Sequence, residues 1–369
     1  MTVLKFIPRS DHVGSLLRPA SVSRARQKFF QEKTITSEEL SKVEDEAILD
    51  LVKMQESIGL HVVTDGEARR SFWHYDFMGH LTGFNLEERD NGVQFAGVKL
   101  RPIFPTINGQ LDFPTDHPML GHFHYLAQNS SVVPKISIPG PSCCHFRTDV
   151  NDIRYAPYQD IEVLMADLTK TYKKAVHAFY DAGCRYLQMD DIFFAYLCDP
   201  KHRQAKADVG QDPDYLIECY AKMMHDSIKD RPADMTIGMH MCRGNFRSTY
   251  AAEGSYDAVA DAVFNQTGVD VFFMEYDTDR AGDLSPLGNL SKGDQRVMLG
   301  FITTKSGGLE SIDDLKLQFD KAAKYVDYEQ MGIAPQCGFA STEEGNEITN
   351  DDQKRKLELV MECEQAIWS

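Results

Sequence analysis

The sequence predicts an α/β protein built as a closed (β/α)8 barrel, on three observations. Short apolar runs recur along the chain, segments of helical spacing lie between most of them, and the runs end in charged or metal-binding side chains. Eight candidate strands are readable: "SDHVGS" (10–15), "HVVTD" (61–65), "KISIPG" (135–140), "RYLQMD" (185–190), "TIGMHM" (236–241), "VDVFFME" (269–275), "RVMLGFI" (296–302) and "GIAPQCG" (332–338). Between them, 37–58 is helical, with Thr36 and Glu39 at capping-box spacing. Segments 159–181, 311–328 and 350–367 have the same periodicity, and 213–229 opens with Asp212 as cap and Pro213 at the first helical position. Residues 76–133 break the alternation. Their Gly, Pro and Asn91-Gly92 turn signal predict a β-hairpin insertion after the second strand, of a length usual for an active-site wall. The chain reads as one barrel domain over 1–369; the alternative is a two-domain split near residue 130.

Composition narrows the function. There are 39 Lys and Arg against 56 Asp and Glu, a net charge of −17, which argues against a general nucleic-acid binder. No run of about 18 apolar residues is present, so no membrane span is expected. The first residues lack the apolar stretch of a signal peptide, which makes a cytoplasmic location the default. Eight scattered cysteines read as reduced thiols rather than a disulfide framework.

In a barrel of this kind, chemistry sits at the carboxyl ends of the strands. Those ends carry Thr64-Asp65-Gly66-Glu67, Asp190-Asp191, His240-Met241-Cys242, Glu275-Tyr276-Asp277, Thr303-Thr304-Lys305 and Cys337. His240 and Cys242 stand two apart, so on a strand they point the same way. With Glu275 and Cys337 they make a candidate zinc set of imidazole, two thiolates and a carboxylate. By spacing alone, a packed His–Cys pair remains the alternative. Arg69, Arg70 and Arg243 are candidate bidentate donors to a carboxylate, phosphate or sulfonate.

The ordered motifs resemble the C-terminal catalytic barrel of cobalamin-independent methionine synthase. "HMC" after the fifth strand, a Glu after the sixth and "PQCG" at the eighth resemble that family's zinc site. "HVGS" (12–15), "VTDGE" (63–67), "IPGP" (138–141) and "LQMDD" (187–191) resemble other segments of it in the same order. The resemblance spans about residues 8–345 and implies a zinc-bearing TIM barrel related to uroporphyrinogen decarboxylase. It implies His240, Cys242, Glu275 and Cys337 as zinc ligands. Glu67 and Asp190 then hold the amino group of an amino-acid thiol, and Val13–Ser15 its carboxylate.

Three departures mark a short, single-barrel branch. The additional N-terminal barrel of the full-length synthase has no counterpart here. Lys305 stands where the family places a proton-donating His, and "GPSCCHFRTD" lacks the family's pterin-stacking Trp, leaving Trp73 as another aromatic wall. The implied function is a zinc-dependent methyltransferase acting on a small thiol, most simply homocysteine to methionine. Its partners are that thiol and a methyl donor (folate, a methylcorrinoid or another molecule); the oligomeric state, a homo-oligomer included, is open. The alternatives are transfer of another alkyl group to another thiol, or a metal-dependent lyase or decarboxylase on the same barrel.

Overall fold

A computed structural model describes residues 5–89, 94–95, 98–99 and 103–368. Its centre is a six-stranded parallel sheet in the order β12-β11-β10-β9-β8-β7. The strands are β7 (Ile136–Pro139), β8 (Tyr186–Asp190), β9 (Thr236–Met241), β10 (Val271–Glu275), β11 (Arg296–Ile302) and β12 (Met331–Pro335). They form because each is a short, nearly unbroken apolar run. All residues of β7, β8, β9, β10 and β12 are buried, the pattern of a parallel sheet covered on both faces. Because all six run the same way, their carboxyl ends share one edge, where Asp190 pairs in register with His240.

The sheet continues at one side through β1 (Val62–Val63), which pairs in parallel with β6 (Val133–Pro134), directly ahead of β7. At the other side, Ser10 bridges Ile333 of β12, and Asp11 N–H donates to Ile333 O at 3.1 Å. The expected first strand over 10–15 is therefore a single bridge. His12 N–H turns to the Asp11 carboxylate (2.7 Å), and Gly14 has φ +136°, so the extended ladder stops there. Between this segment and β1 the links are Leu16 N–H to Gly66 O (3.0 Å) and Thr64 Oγ1 to Gly14 O (2.6 Å). The described strands make a parallel α/β sheet that is not closed by a continuous ladder.

Helices cover the sheet. Ser37–Ile58 carries the expected capping box between Thr36 and Glu39. Ile161–Asp181, Pro213–Ile228 and Asn350–Trp368 match the periodic segments within a few residues, while Ile312–Ala322 stops well short of the expected end at 328. The strict strand–helix alternation lapses between β10 and β11, where only short 3-10 turns at Asp279–Ala281 and Ser285–Asn289 occur. Gly282 at φ +74° and Pro286 interrupt any longer helix there.

The insertion is a hairpin of β2 (Thr82–Glu88) and β5 (Ile103–Asp112), antiparallel, with a small antiparallel pair β3 (Gln94–Phe95) and β4 (Val98–Lys99) beyond it. The predicted Asn91-Gly92 turn lies outside the described residues. Gly83 allows the register shift between Thr82 and Phe84: its φ is +78°, and a Cβ there would meet Gln110 O at 2.5 Å.

One buried polar knot ties Asp11 to the amino ends of β7 and β8. Lys135 Nζ donates to Asp11 Oδ1 (2.9 Å), and Tyr186 Oη donates to Asp11 Oδ2 (2.8 Å), with the Lys135 and Asp11 side chains fully buried. Removing one member of a buried pair leaves the other uncompensated. Lys135→Met is expected to lower unfolding free energy by about 3–5 kcal/mol, read by urea denaturation. Adding Asp11→Asn should recover part of it, and a loss under about 1 kcal/mol would remove the pair from the list of fold determinants.

Candidate metal centre and substrate cleft

His240 is the fifth residue of β9, Cys242 follows its last residue, and Cys337 lies two residues past β12. The two strands bring one ligand atom from each of the three residues within 4.8 Å of one another, all buried. The two Sγ atoms are 3.5 Å apart. His240 Nδ1 lies 3.2 Å from Asp190 Oδ1, while its buried Nε2 has no hydrogen-bond partner. A carboxylate on one ring nitrogen and a second nitrogen left without a hydrogen bond is how ligating histidines are oriented. Two thiols and an imidazole with such a nitrogen fit a borderline-soft divalent ion such as zinc.

The electrostatics agree. Burial works against charge on His240, yet the Cys337 thiolate and Asp190 carboxylate hold its pKa up to about 10. Against the same burial, the Cys242 S–H, the imidazolium and Lys305 hold Cys337 well below an ordinary thiol. Hydrogen bonding to Cys337 and burial push Cys242 well above it.

Glu275, expected as the fourth ligand, is not part of this three-residue set. Its Oε1 accepts from Arg280 Nη2 (2.7 Å) and its Oε2 from the Arg243 N–H (2.9 Å). Although it is buried, Lys305 and Arg243 hold its pKa below the ordinary value. Lys305, expected as a proton donor, does not line the substrate cleft. Its buried Nζ has no hydrogen-bond partner and acts electrostatically on Cys242, Glu275 and Cys337.

The cleft beside the cluster encloses about 1000 Å³ of unfilled space including its mouth, and Val13, Ser15, Glu67, Asp190, Cys242 and Cys337 all line it. The N–H groups of Val13, Gly14 and Ser15 make no hydrogen bond among the described residues. Three such successive donors suit an anion. Glu67 sits at φ +56°. Its Oε1 accepts from Ser137 Oγ (3.0 Å), its Oε2 lies 3.4 Å from Arg70 Nη1, and burial lifts its pKa to about 7. Asp190 accepts from Gln188 Nε2 (2.8 Å) on the same oxygen that faces His240, which leaves Oδ2 without a partner among the described residues.

The arginines correct the expectation from sequence. Arg243 is fully buried and donates to Gly254 O, Ala281 O and Glu275 O, with its guanidinium over Tyr256 at 4.0 Å. Arg70 donates to Ser137 O (2.6 Å) and braces Glu67, and Arg69 pairs with Glu44 and Asp45. None of the three lines the cleft; all are spent on the scaffold. The arginine that does line it is Arg147, together with Trp73, His74, Tyr75, Tyr196 and Asn245. Trp73 is the aromatic wall expected. No spacing rule reaches the others, because Arg147 ends a single short helix, Ser142–Arg147, and Tyr196 another, Phe193–Tyr196.

A family model described as the catalytic domain of cobalamin-independent synthase matches residues 9–354. The chain belongs to this family. Its relatives include the uncharacterized protein YxjH of Bacillus subtilis, 44% identical over 98% of this chain and 94% of that one. A 5-methyltetrahydropteroyltriglutamate–homocysteine methyltransferase of Acidithiobacillus ferrooxidans is 24% identical over 91% of this chain, which spans 39% of that longer protein. Among solved structures, the putative vitamin-B12-independent methionine synthase of Listeria monocytogenes has a TM-score of 0.79 at 36% identity, over 100% of both chains. One from Shewanella shares the fold, with a TM-score of 0.71 at 18% identity over 97% of both.

In this member of the cobalamin-independent synthase family, the residue after Cys337 has no room for a side chain. A Cβ on Gly338 would lie 1.9 Å from Ser15 Oγ. Gly338→Ala is expected to displace the 13–15 segment, cost about 1–3 kcal/mol of stability and lower metal occupancy. Thermal unfolding and metal analysis read both; unchanged values in each would show that the segment yields freely.

Proposed function

We propose that this chain is a zinc-dependent S-methyltransferase that uses homocysteine as thiol acceptor and forms methionine. The observation that carries the reading is the buried His240–Cys242–Cys337 cluster, with an imidazole nitrogen free of hydrogen bonds, at the wall of a cleft that also holds the Glu67 and Asp190 carboxylates and the Val13 and Ser15 N–H groups. The fold reading that goes with it is a (β/α)8 barrel, with the strands of the six-stranded sheet, β1 (paired with β6, the lead-in to β7) and segment 10–15 as its eight staves.

A thiol is a poor nucleophile at neutral pH, and zinc supplies the remedy by binding sulfur as the thiolate. The protein's own residues do the rest. The Val13–Ser15 N–H groups hold the substrate carboxylate. Glu67 and Asp190 hold its ammonium, and Ser137 and Arg70 keep Glu67 in place. The absence of Lys305 from the cleft supports a role as balancing cation beside the thiolates rather than as proton donor to the leaving group. Glu275 is assigned as fourth ligand on the family resemblance, with Arg280 and the Arg243 amide holding it in the described conformation.

Zinc X-ray absorption with and without homocysteine tests the reading. The expected result is one sulfur gained and one oxygen or nitrogen lost; an unchanged sphere would sink homocysteine as the acceptor. Cys242→Ser should lose zinc and activity together, and full zinc occupancy in that variant would count against the cluster. The Glu67 carboxylate must be ionised to hold an ammonium, and its pKa lies at about 7. Homocysteine affinity of the zinc-loaded protein should therefore weaken below pH 7 by up to about tenfold per pH unit more than in Glu67→Gln. Parallel pH profiles of the two proteins by calorimetry would argue against this role.

A further inference from the structure

The chain is strongly acidic, with 56 acidic against 39 basic residues, yet Arg147 has no carboxylate partner among the described residues. Its Nε is buried without a hydrogen bond, and its guanidinium lies 5.5 Å from the Phe193 ring centre. Arg147 is partly buried, and a cation withdrawn from water is costly unless an anion or several acceptors meet it. The groups that act on Arg147 electrostatically are Tyr196, Tyr75 and Cys143 rather than any acid. Both tyrosine hydroxyls also lack hydrogen-bond partners among the described residues, and both side chains line the same cleft as Arg147. One guanidinium and two phenol O–H groups, all without acceptors, converge on one wall.

The rest of the aromatic lining is a set of rings tilted against one another, and it is largely apolar. Trp73, His74 and Tyr75 stand ring beside ring, with centroids 4.5 and 4.0 Å apart, and Phe72, Ile192 and Phe246 complete it. Burial holds His74 well below an ordinary imidazole, so it is neutral and supplies no second cation. Tyr196 is within electrostatic reach of Arg147 on one side and of Cys242 and Cys337 on the other. The wall is thus next to the thiol site and distinct from the Val13–Ser15 and Glu67 groups assigned to the amino acid.

We propose that Arg147, Tyr75 and Tyr196 form a receptor for a carboxylate or phosphoryl group on the second substrate, which makes the methyl donor a small acidic molecule. Its planar or apolar body lies along Trp73, and its acid group is met by a bidentate guanidinium and two hydroxyls. Only the word donor rests on the methyltransfer reading; the receptor stands on the cleft alone.

The test uses benzoate, phenylphosphonate and the neutral methyl benzoate as probes of the zinc-loaded full chain. Trp73 fluorescence quenching is the readout, in a Trp368→Phe background. The acids are expected to bind on the order of tenfold or more tighter than the ester, and their ratio separates carboxylate from phosphoryl recognition. Arg147→Gln should abolish the preference. Arg147→Lys should keep part of it, and Tyr75→Phe or Tyr196→Phe, which keep the rings, should each reduce it severalfold. Equal binding of acid and ester, or an unchanged preference in Arg147→Gln or in both phenylalanine variants, would overturn the receptor. The homocysteine-induced change in the zinc sphere should persist in Arg147→Gln. If that change is absent even in the wild type while acid preference holds, the thiol reading falls and the receptor stands; the reverse pattern removes the receptor alone.

Discussion

A parallel sheet covered on both faces excludes water from its strand ends, and any ionisable group placed there must find a countercharge or a hydrogen bond inside the protein. Asp11 is matched by Lys135 and Tyr186, Glu67 by Arg70 and Ser137, Glu275 by Arg280 and a backbone amide, and Asp190 by His240 and Gln188. These pairings position the site as much as they stabilise the fold. Each fixes a side chain whose rotamer would otherwise be free, and each sits on a different strand or the loop after it.

Buried polar groups without a hydrogen bond occur in several places, His12, Asp191, Asp277 and Gln336 among them, but one set is gathered at the site. His240 Nε2, the Val13–Ser15 amides, Oδ2 of Asp190, and the donors of Arg147, Tyr75 and Tyr196 have no hydrogen-bond partner among the described residues. With the exception of Gly14, all of these residues line one cleft. Unmet polar groups scattered through a core would be a stability defect. Gathered around a cleft, they describe the molecules that complete it: a soft cation, an amino acid and an acid. Arg243, Arg70 and Arg69 show the opposite case, since strongly basic side chains beside the same site are spent on carbonyls and acids of the scaffold.

Much of this was legible in the chain. Strands β9 and β11 coincide with the apolar runs 236–241 and 296–302, because an unbroken apolar stretch of that length has few alternatives to a buried parallel strand. The Thr36–Glu39 capping box appears as read, since a cap is a contact over four residues. The His240–Cys242 pair was visible for a similar reason: two-residue spacing at a strand end is local geometry. Segment 10–15 meets the sheet only at the Ser10–Ile333 bridge; the departure of His12 N–H to Asp11 and the turn at Gly14 involve single residues that leave no periodic trace.

The sequence by itself determined the alternation of strands and helices, the hairpin insertion and the set of chemically capable residues at the strand ends. Those follow from periodicity, capping and composition, which act over a few residues at a time. Tertiary structure decided which of those residues meet. It joined Cys337 to Cys242 across 95 positions, set Glu275 against Arg280, withdrew Arg70 and Arg243 into the scaffold, and turned Arg147 into the cleft. An arginine carries the same charge whether it is spent or available; only the acceptors that folding brings within about 3 Å distinguish the two.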